Sequence, residues 1–162
     1  MRIWRHAAAT RWTLTRRFDP ATLNAIEQAI AESERTHRAE IRFAVEAALD
    51  VKSLWRCPSA RRRAYEVFAD LEIWDTAENN GVLIYVLIAE KAVEIVADHG
   101  FDGRVTADEW RRAVDAMDRC FERGQWRDGA LAGIAEVSAL AAREFPAAGE
   151  TPDELPNRPL LL

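Results

Sequence analysis

The chain has 162 residues, of which 30% are charged and 49% hydrophobic, the make-up of one globular domain with a core of its own. Its longest apolar run, residues 82–89, falls far short of the roughly 20 residues of a membrane helix. The first 18 residues lack the apolar segment of a secretory signal, so the expected location is cytoplasmic. Two cysteines, Cys57 and Cys120, exclude a disulfide scaffold and show no C-x-x-C spacing.

The net charge of −5 is unevenly spread. Arg2, Arg5, Arg11, Arg16 and Arg17 precede the first acid, Asp19, and the rest holds 17 basic against 27 acidic residues. Such an acidic body does not bind nucleic acid through diffuse phosphate contacts, and no nucleic-acid partner is expected of it. The basic N-terminal arm, residues 1–18, also carries Trp4 and Trp12. That pairing suits an anionic lipid surface, and equally an RNA backbone. The alternative is that the arm packs its tryptophans on the domain, or docks by charge on the acidic body.

Asp19-Pro20 reads as an N-cap with proline at the first helical position, opening a helix over about residues 20–35 with Leu23, Ile26 and Ile30 inward. Ile41, Phe43 and Val45 then alternate with Glu40, Arg42, Ala44 and Glu46, the pattern of a half-buried strand. Pro58-Ser59 opens a second helix in which Ala64, Tyr65, Phe68 and Leu71 share a face. Residues 75–81 are a polar loop, and residues 82–88 an apolar run suited to a strand covered on both faces. Ala89-Glu90-Lys91 is a hairpin connection to a return strand over residues 92–97. Thr106 to Glu109 is a capping box, followed by a helix with Trp110, Ala113, Val114, Met117 and Phe121 inward. A last helix, about residues 126–143, turns Ala130, Ile134, Val137 and Ala141 inward and stops before Pro146. The prolines of the tail make it extended, and its closing leucines should tuck against the body.

The order α-β-α-β-β-α-α predicts an α/β fold: a mixed β-sheet of about three to four strands with helices on both faces. The domain spans residues 19–145, between the arm and a Pro-rich tail, residues 146–162. The first two strands flank a crossover helix and should be parallel; the hairpin makes the third antiparallel to the second.

This topology brings the start of the first strand, the start of the second and the end of the third to one rim. His37 and Glu40 belong to the first, Asp75, Glu78, Asn79 and Asn80 to the second, and Asp98, His99 and Asp102 to the third. Clustered oxygen donors without thiolates suit a hard cation, Ca²⁺ or Mg²⁺, with Gly81 and Gly100 allowing close approach of the loops. The competing reading makes Asp75 a turn cap and the asparagines turn formers. No spacing matches a calcium-binding helix–loop–helix, a phosphate-cradling glycine loop, a nucleophile elbow or a dinucleotide fingerprint, and no organic cofactor is expected. His6, His37 and His99 are too scattered for zinc. Cys57 lacks a positioned histidine and Cys120 borders an apolar stripe. In the run Arg61-Arg62-Arg63, Arg61 is the candidate for phosphate, unless the run is a solvated helix face.

The stretch Asn79-Asn80-Gly81-Val82-Leu83-Ile84 resembles the Asp-Asn-Gly-Val-Leu signature of the TPM-domain family, which includes thylakoid-lumen photosystem-repair proteins and bacterial secreted or membrane-tethered proteins. A Ser-x-x-x-x-Ala helix from Ser59 to Ala64, Phe121-x-x-Gly124 and Gly129-x-x-x-Gly133-Ile134 are similar to further family segments in the same order. The likeness runs from about Asp19 to Leu140, and the stretch from His37 to Asn80 also resembles a bacterial cytoplasmic branch of the family. It implies an α/β sandwich, Ca²⁺ binding at the Asn-Gly loop and, as in some plant members, acid phosphatase activity. Two departures bear on this. Asn79 stands where the family has aspartate, and Asp98-His99-Gly100 stands for its Gly-x-Gly; either Asp98 restores the lost charge or the site is dead.

Three functions follow. The first is a non-catalytic adaptor or divalent-cation-binding module whose acidic rim holds Asp75, Glu78, Asn79, Asn80, Asp98 and Glu40, with a protein partner. The second is a metal-assisted phosphatase using Asp75, Asp98 and Glu40 for metal and Arg61 or His99 for phosphate. The third is a peripheral membrane protein docking through Trp4 and Trp12.

Overall fold

The computed structural model describes residues 11–49, 59–148 and 154–162. Arg2, Trp4, Arg5, His6, Cys57 and Pro152 lie outside them, as does the side chain of Arg11. The elements are α1 (Arg11–Arg17), α2 (Pro20–Ser33), β1 (Glu40–Glu46), α3 (Ala60–Asp70), β2 (Gly81–Leu87), β3 (Ala92–Ala97), α4 (Ala107–Phe121), α5 (Trp126–Glu144) and β4 (Leu160–Leu161). They form an α/β fold around one four-stranded mixed sheet in the order β3-β2-β1-β4.

Local chemistry sets the helix starts. The Asp19 carboxylate accepts from the Thr22 N–H at 2.7 Å, with Pro20 just behind it. Ser59 caps α3 through the Arg62 N–H. Thr106 and Glu109 form a reciprocal capping box on α4. Arg143 of α5 lies 2.5 Å from the Glu109 carboxylate and, with the Thr106 bonds, holds it down at about 2.

β1 and β2 run parallel, Glu40 opposite Gly81 through Glu46 opposite Leu87. β3 is antiparallel to β2, Val82 opposite Ala97. A short helical turn, Ile88–Glu90, makes the hairpin, and Lys91 takes a left-handed conformation (φ 51°). The tail returns as β4, parallel to β1, with Ala44 opposite Leu160.

Two apolar layers sandwich the sheet. Ile41, Phe43, Val45, Val82, Ile84, Val86, Val93 and Ile95 meet α1, α2, α4 and α5 on one face. Ala44, Leu83, Tyr85, Leu87 and Val96 meet α3 and Leu160 on the other. α1 was not expected as an element. Its Leu14, and Phe18 just after it, are fully buried, and Phe18 sits among Phe43, Phe121 and Trp126 at ring separations of 6.0–6.3 Å. Trp12 instead stays 67% exposed, with the Arg16 guanidinium over its ring.

Two sequence expectations need correction. β1 is buried along its whole length rather than on one face. Its charged residues are partnered instead of solvated: Glu40 accepts from the backbone of Glu154 and Leu155, and Arg42 donates to the carbonyl of Arg158. Glu46 takes two bonds from Arg63 (2.9 and 3.3 Å) and one from the Tyr85 hydroxyl (2.6 Å). On α3, Val67 takes the buried place expected of Tyr65, which is exposed.

The Glu46–Arg63–Tyr85 cluster buries a charge pair closed by a hydroxyl. Burial drives the Tyr85 hydroxyl well above its ordinary range, and the Glu46 carboxylate adds to that. Burial opposes the Arg63 charge, but Glu46 overrides it and keeps the guanidinium firmly protonated. Arg63→Ala leaves Glu46 buried without a counter-charge and should cost roughly 3–5 kcal/mol, against about 1–2 kcal/mol for Tyr85→Phe. Urea midpoints measure both, and equal losses would show that the charge pair does not dominate.

Candidate functional site

The rim where the three segments meet is held by backbone bonds. The Asp98 N–H donates to the Gly81 carbonyl at 2.8 Å, and the Gly100 N–H to the Asn79 carbonyl at 2.9 Å. Asn79 is left-handed (φ 54°), a conformation asparagine tolerates. Both glycines stand where a side chain would collide with backbone. A Cβ on Gly100 would lie 2.4 Å from the Asn79 carbonyl oxygen, and one on Gly81 2.0 Å from that of Ile73. Gly81 is the first residue of β2 rather than part of the loop.

The side chains gather less completely than the backbone. The Asn80 Nδ2 donates to the Arg38 carbonyl at 2.7 Å, and its backbone N–H to the Thr76 hydroxyl. Asp98 accepts on Oδ1 from the His99 N–H and lies 2.9 Å from His99 Nδ1. Glu78 is turned to Arg38, 2.8 Å away. Glu40 is committed to the tail backbone. Asp75 is exposed. Arg61 is not at the rim: its guanidinium donates to the Ile95 carbonyl, three residues short of Asp98, and stacks on Tyr65. His99 is at the rim with its ring largely exposed. Among the described residues no three His, Cys, Asp or Glu side chains come together as a metal-holding group.

What the rim does hold is a pair of oxygens without partners. Asn80 is 2% exposed and Asp98 8%, yet neither Asn80 Oδ1 nor Asp98 Oδ2 meets a hydrogen-bond donor. Buried acceptors are ordinarily paired, so each such orphan calls for an explanation. Sequence reasoning placed both residues at this rim but had no means of seeing which of their atoms stay free. It also gave no role to Arg38, whose carbonyl and side chain engage two rim residues.

His37 lies beside the same rim, pinned between α5 and the sheet by a bridge to Pro146. It is 1% exposed, and its ring nitrogens find no partner of good hydrogen-bond geometry. Burial pushes the imidazole below its ordinary value, and the nearby Ala39 backbone offsets only part of that. The unfolded chain therefore takes up a proton at His37 before the folded chain does. The stability His37 contributes is complete above about pH 6.5 and drains away as the pH falls toward the lowered folded value. His37→Leu should show a shallower loss of denaturation midpoint than the parent between about pH 7 and 5; identical slopes would place the acid sensitivity elsewhere.

The opposite end of the sheet holds a cavity of about 430 Å³. Arg17, Ile88, Lys91, Asp118, Phe121 and Trp126 are among its walls. Phe121 and Trp126 stack at 4.8 Å, and Arg17 covers the Trp126 ring. Burial, and then the Asp115 and Glu122 charges, push the Asp118 carboxyl up.

A central parallel pair, an antiparallel hairpin strand and helices on both faces, with an Asn-Gly turn at the rim, define the α/β class to which TPM domains belong. The sequence model of the TPM domain matches residues 14–140, and the chain belongs to that family. No curated protein matches it significantly. Among solved structures, it is similar to the BA42 protein of the psychrophilic bacterium Bizionia argentinensis, determined by NMR. The identity is 30%, over 88% of this chain and 93% of that one, with a TM-score of 0.77. The N-terminal domain of a P. gingivalis protein shares the fold at 15% identity and a TM-score of 0.63, each chain being covered to 82%.

Proposed function

We propose that this protein is a divalent-cation-binding module, with the cation held at the rim formed by the Asn79-Asn80-Gly81 turn and Asp98. The observation that carries the reading is the pair of buried, unpartnered oxygens, Asn80 Oδ1 and Asp98 Oδ2, on segments joined by backbone hydrogen bonds. Ca²⁺ takes several oxygen ligands, including carboxamides, backbone carbonyls and water, and Mg²⁺ keeps much of its water. One carboxylate and one carboxamide therefore fit such an ion in kind. Glu40 and Glu78 are spent on the tail and on Arg38, so the site has low charge and its affinity should be weak.

Millimolar Ca²⁺ or Mg²⁺ should raise the melting temperature by roughly 2–4 °C for each kcal/mol of binding free energy. Asp98→Asn, which keeps the acceptor for the His99 N–H, should abolish the rise. Asn79→Asp should enlarge it by returning a charge to the turn. A melting temperature indifferent to Ca²⁺, Mg²⁺ and Mn²⁺ in all three proteins would refute the reading.

A second reading, peripheral contact with an anionic membrane surface, draws support from Trp12, exposed beside Arg16 at the start of α1. Leu14 and Phe18 are core residues, so deleting residues 1–18 would damage the fold itself. Trp12→Ala combined with Arg16→Glu is the cleaner probe: the pair should lose co-sedimentation with phosphatidylserine vesicles at unchanged melting temperature, and undiminished sedimentation would discard the idea. No helix among the described residues is long and apolar enough to cross a membrane.

A further inference from the structure

β3 stands at one side of the sheet and pairs with β2 alone among the described residues. The bond from the Asp98 N–H to Gly81 sets the alternation of its backbone groups. Ala92, Glu94, Val96 and Asp98 turn theirs toward β2, which leaves those of Val93, Ile95 and Ala97 turned outward. The Ile95 carbonyl confirms the direction by accepting from Arg61, a side-chain donor standing where the N–H of another strand would stand. The strand, AVEIVA, carries neither proline nor lysine, two common means of blunting an edge.

Helices α3 and α4 rise on either side of this edge and leave a groove of about 460 Å³ along it. Arg61 lines the α3 bank and Arg111 the α4 bank, with Val93, Ile95 and Trp110 giving apolar wall and Glu94 the one acid. Glu94 is matched by Arg61 at 3.5 Å. Arg111 is exposed with no ion pair among the described residues, and the exposed Arg62 adds charge at the same end of α3. The groove is thus basic on a chain whose net charge is −5.

We propose that the outer edge of β3 receives an extended acidic peptide segment of a partner protein as an added strand. Its main chain would pair with Val93, Ile95 and Ala97, displacing Arg61 from the Ile95 carbonyl. Side chains of an added strand alternate between the two faces of the sheet. Acids at every second position of the peptide would therefore share one face and meet Arg111 on the α4 side, with the apolar residues between them turned to the other face. The site is distinct from the cation rim and stands or falls without it.

Titration of the ¹⁵N-labelled protein with acetyl-Glu-Val-Glu-Val-Glu-Val-amide tests the proposal. The amides of Val93, Ile95 and Ala97 should shift saturably. The effect should vanish with the same peptide N-methylated along its bonding edge, and weaken in Arg111→Glu, an exposed change that spares the fold. Absence of shifts, equal shifts with the N-methylated peptide, or equal shifts with the Lys-Val counterpart would overturn it. So would shifts of these amides with protein concentration alone, which would make the occupant a second copy of the chain.

Discussion

Three charged side chains on a strand with no solvent face, Glu40, Arg42 and Glu46 of β1, impose the central constraint on this fold. A buried charge without a partner costs several kcal/mol, so the chain must return partners to each. It does so from far along the sequence. The backbone of Glu154 and Leu155 comes to Glu40, the carbonyl of Arg158 to Arg42, and Arg63 with Tyr85 to Glu46. These bonds bring the tail and α3 onto one face of the sheet. The opposite face is closed by apolar packing of α1, α2, α4 and α5. The α3 face thus adds directional polar contacts to its apolar packing.

That arrangement also decides what is left for the rim. Glu40 is drawn to the tail and Glu78 to Arg38, so the acids that topology delivers to the rim are largely used in holding it together. Among the buried rim side chains described, the oxygens left without a partner are those of Asn80 and Asp98.

The elements legible in the sequence were those with local causes: the Asp19 and Ser59 caps, the Thr106–Glu109 box, the hairpin after β2 and the stripes of α4 and α5. The parallel and antiparallel pairings followed from connection lengths, and with them the meeting of Asn79, Asn80 and Asp98. Alternation in β1 misled because charge ordinarily marks a wet face, and its partners lie up to 116 residues away. On α3 the buried stripe runs through Ala60, Ala64, Val67 and Phe68, which leaves Tyr65 outside it. α1 escaped notice because its arginines dominate the composition, while Leu14 and Phe18 carry the packing. Which carboxylates remain unspent depends on contacts such as Arg38 with Glu78 and Glu40 with the backbone of Glu154 and Leu155, and no short motif encodes these.

The pairing of β4 beside β1 has a temporal side. Leu160 and Leu161 lie on Ala44 and Val45, and the Leu162 N–H reaches the Val45 carbonyl. During synthesis, residues 40–46 are made long before anything can occupy that flank. Until the tail emerges, the nascent strand presents an unclosed flank and unmatched charges, a state in which strands of neighbouring molecules can exchange. Closure of this flank of the sheet therefore waits on residues 160–162, made more than a hundred residues after β1.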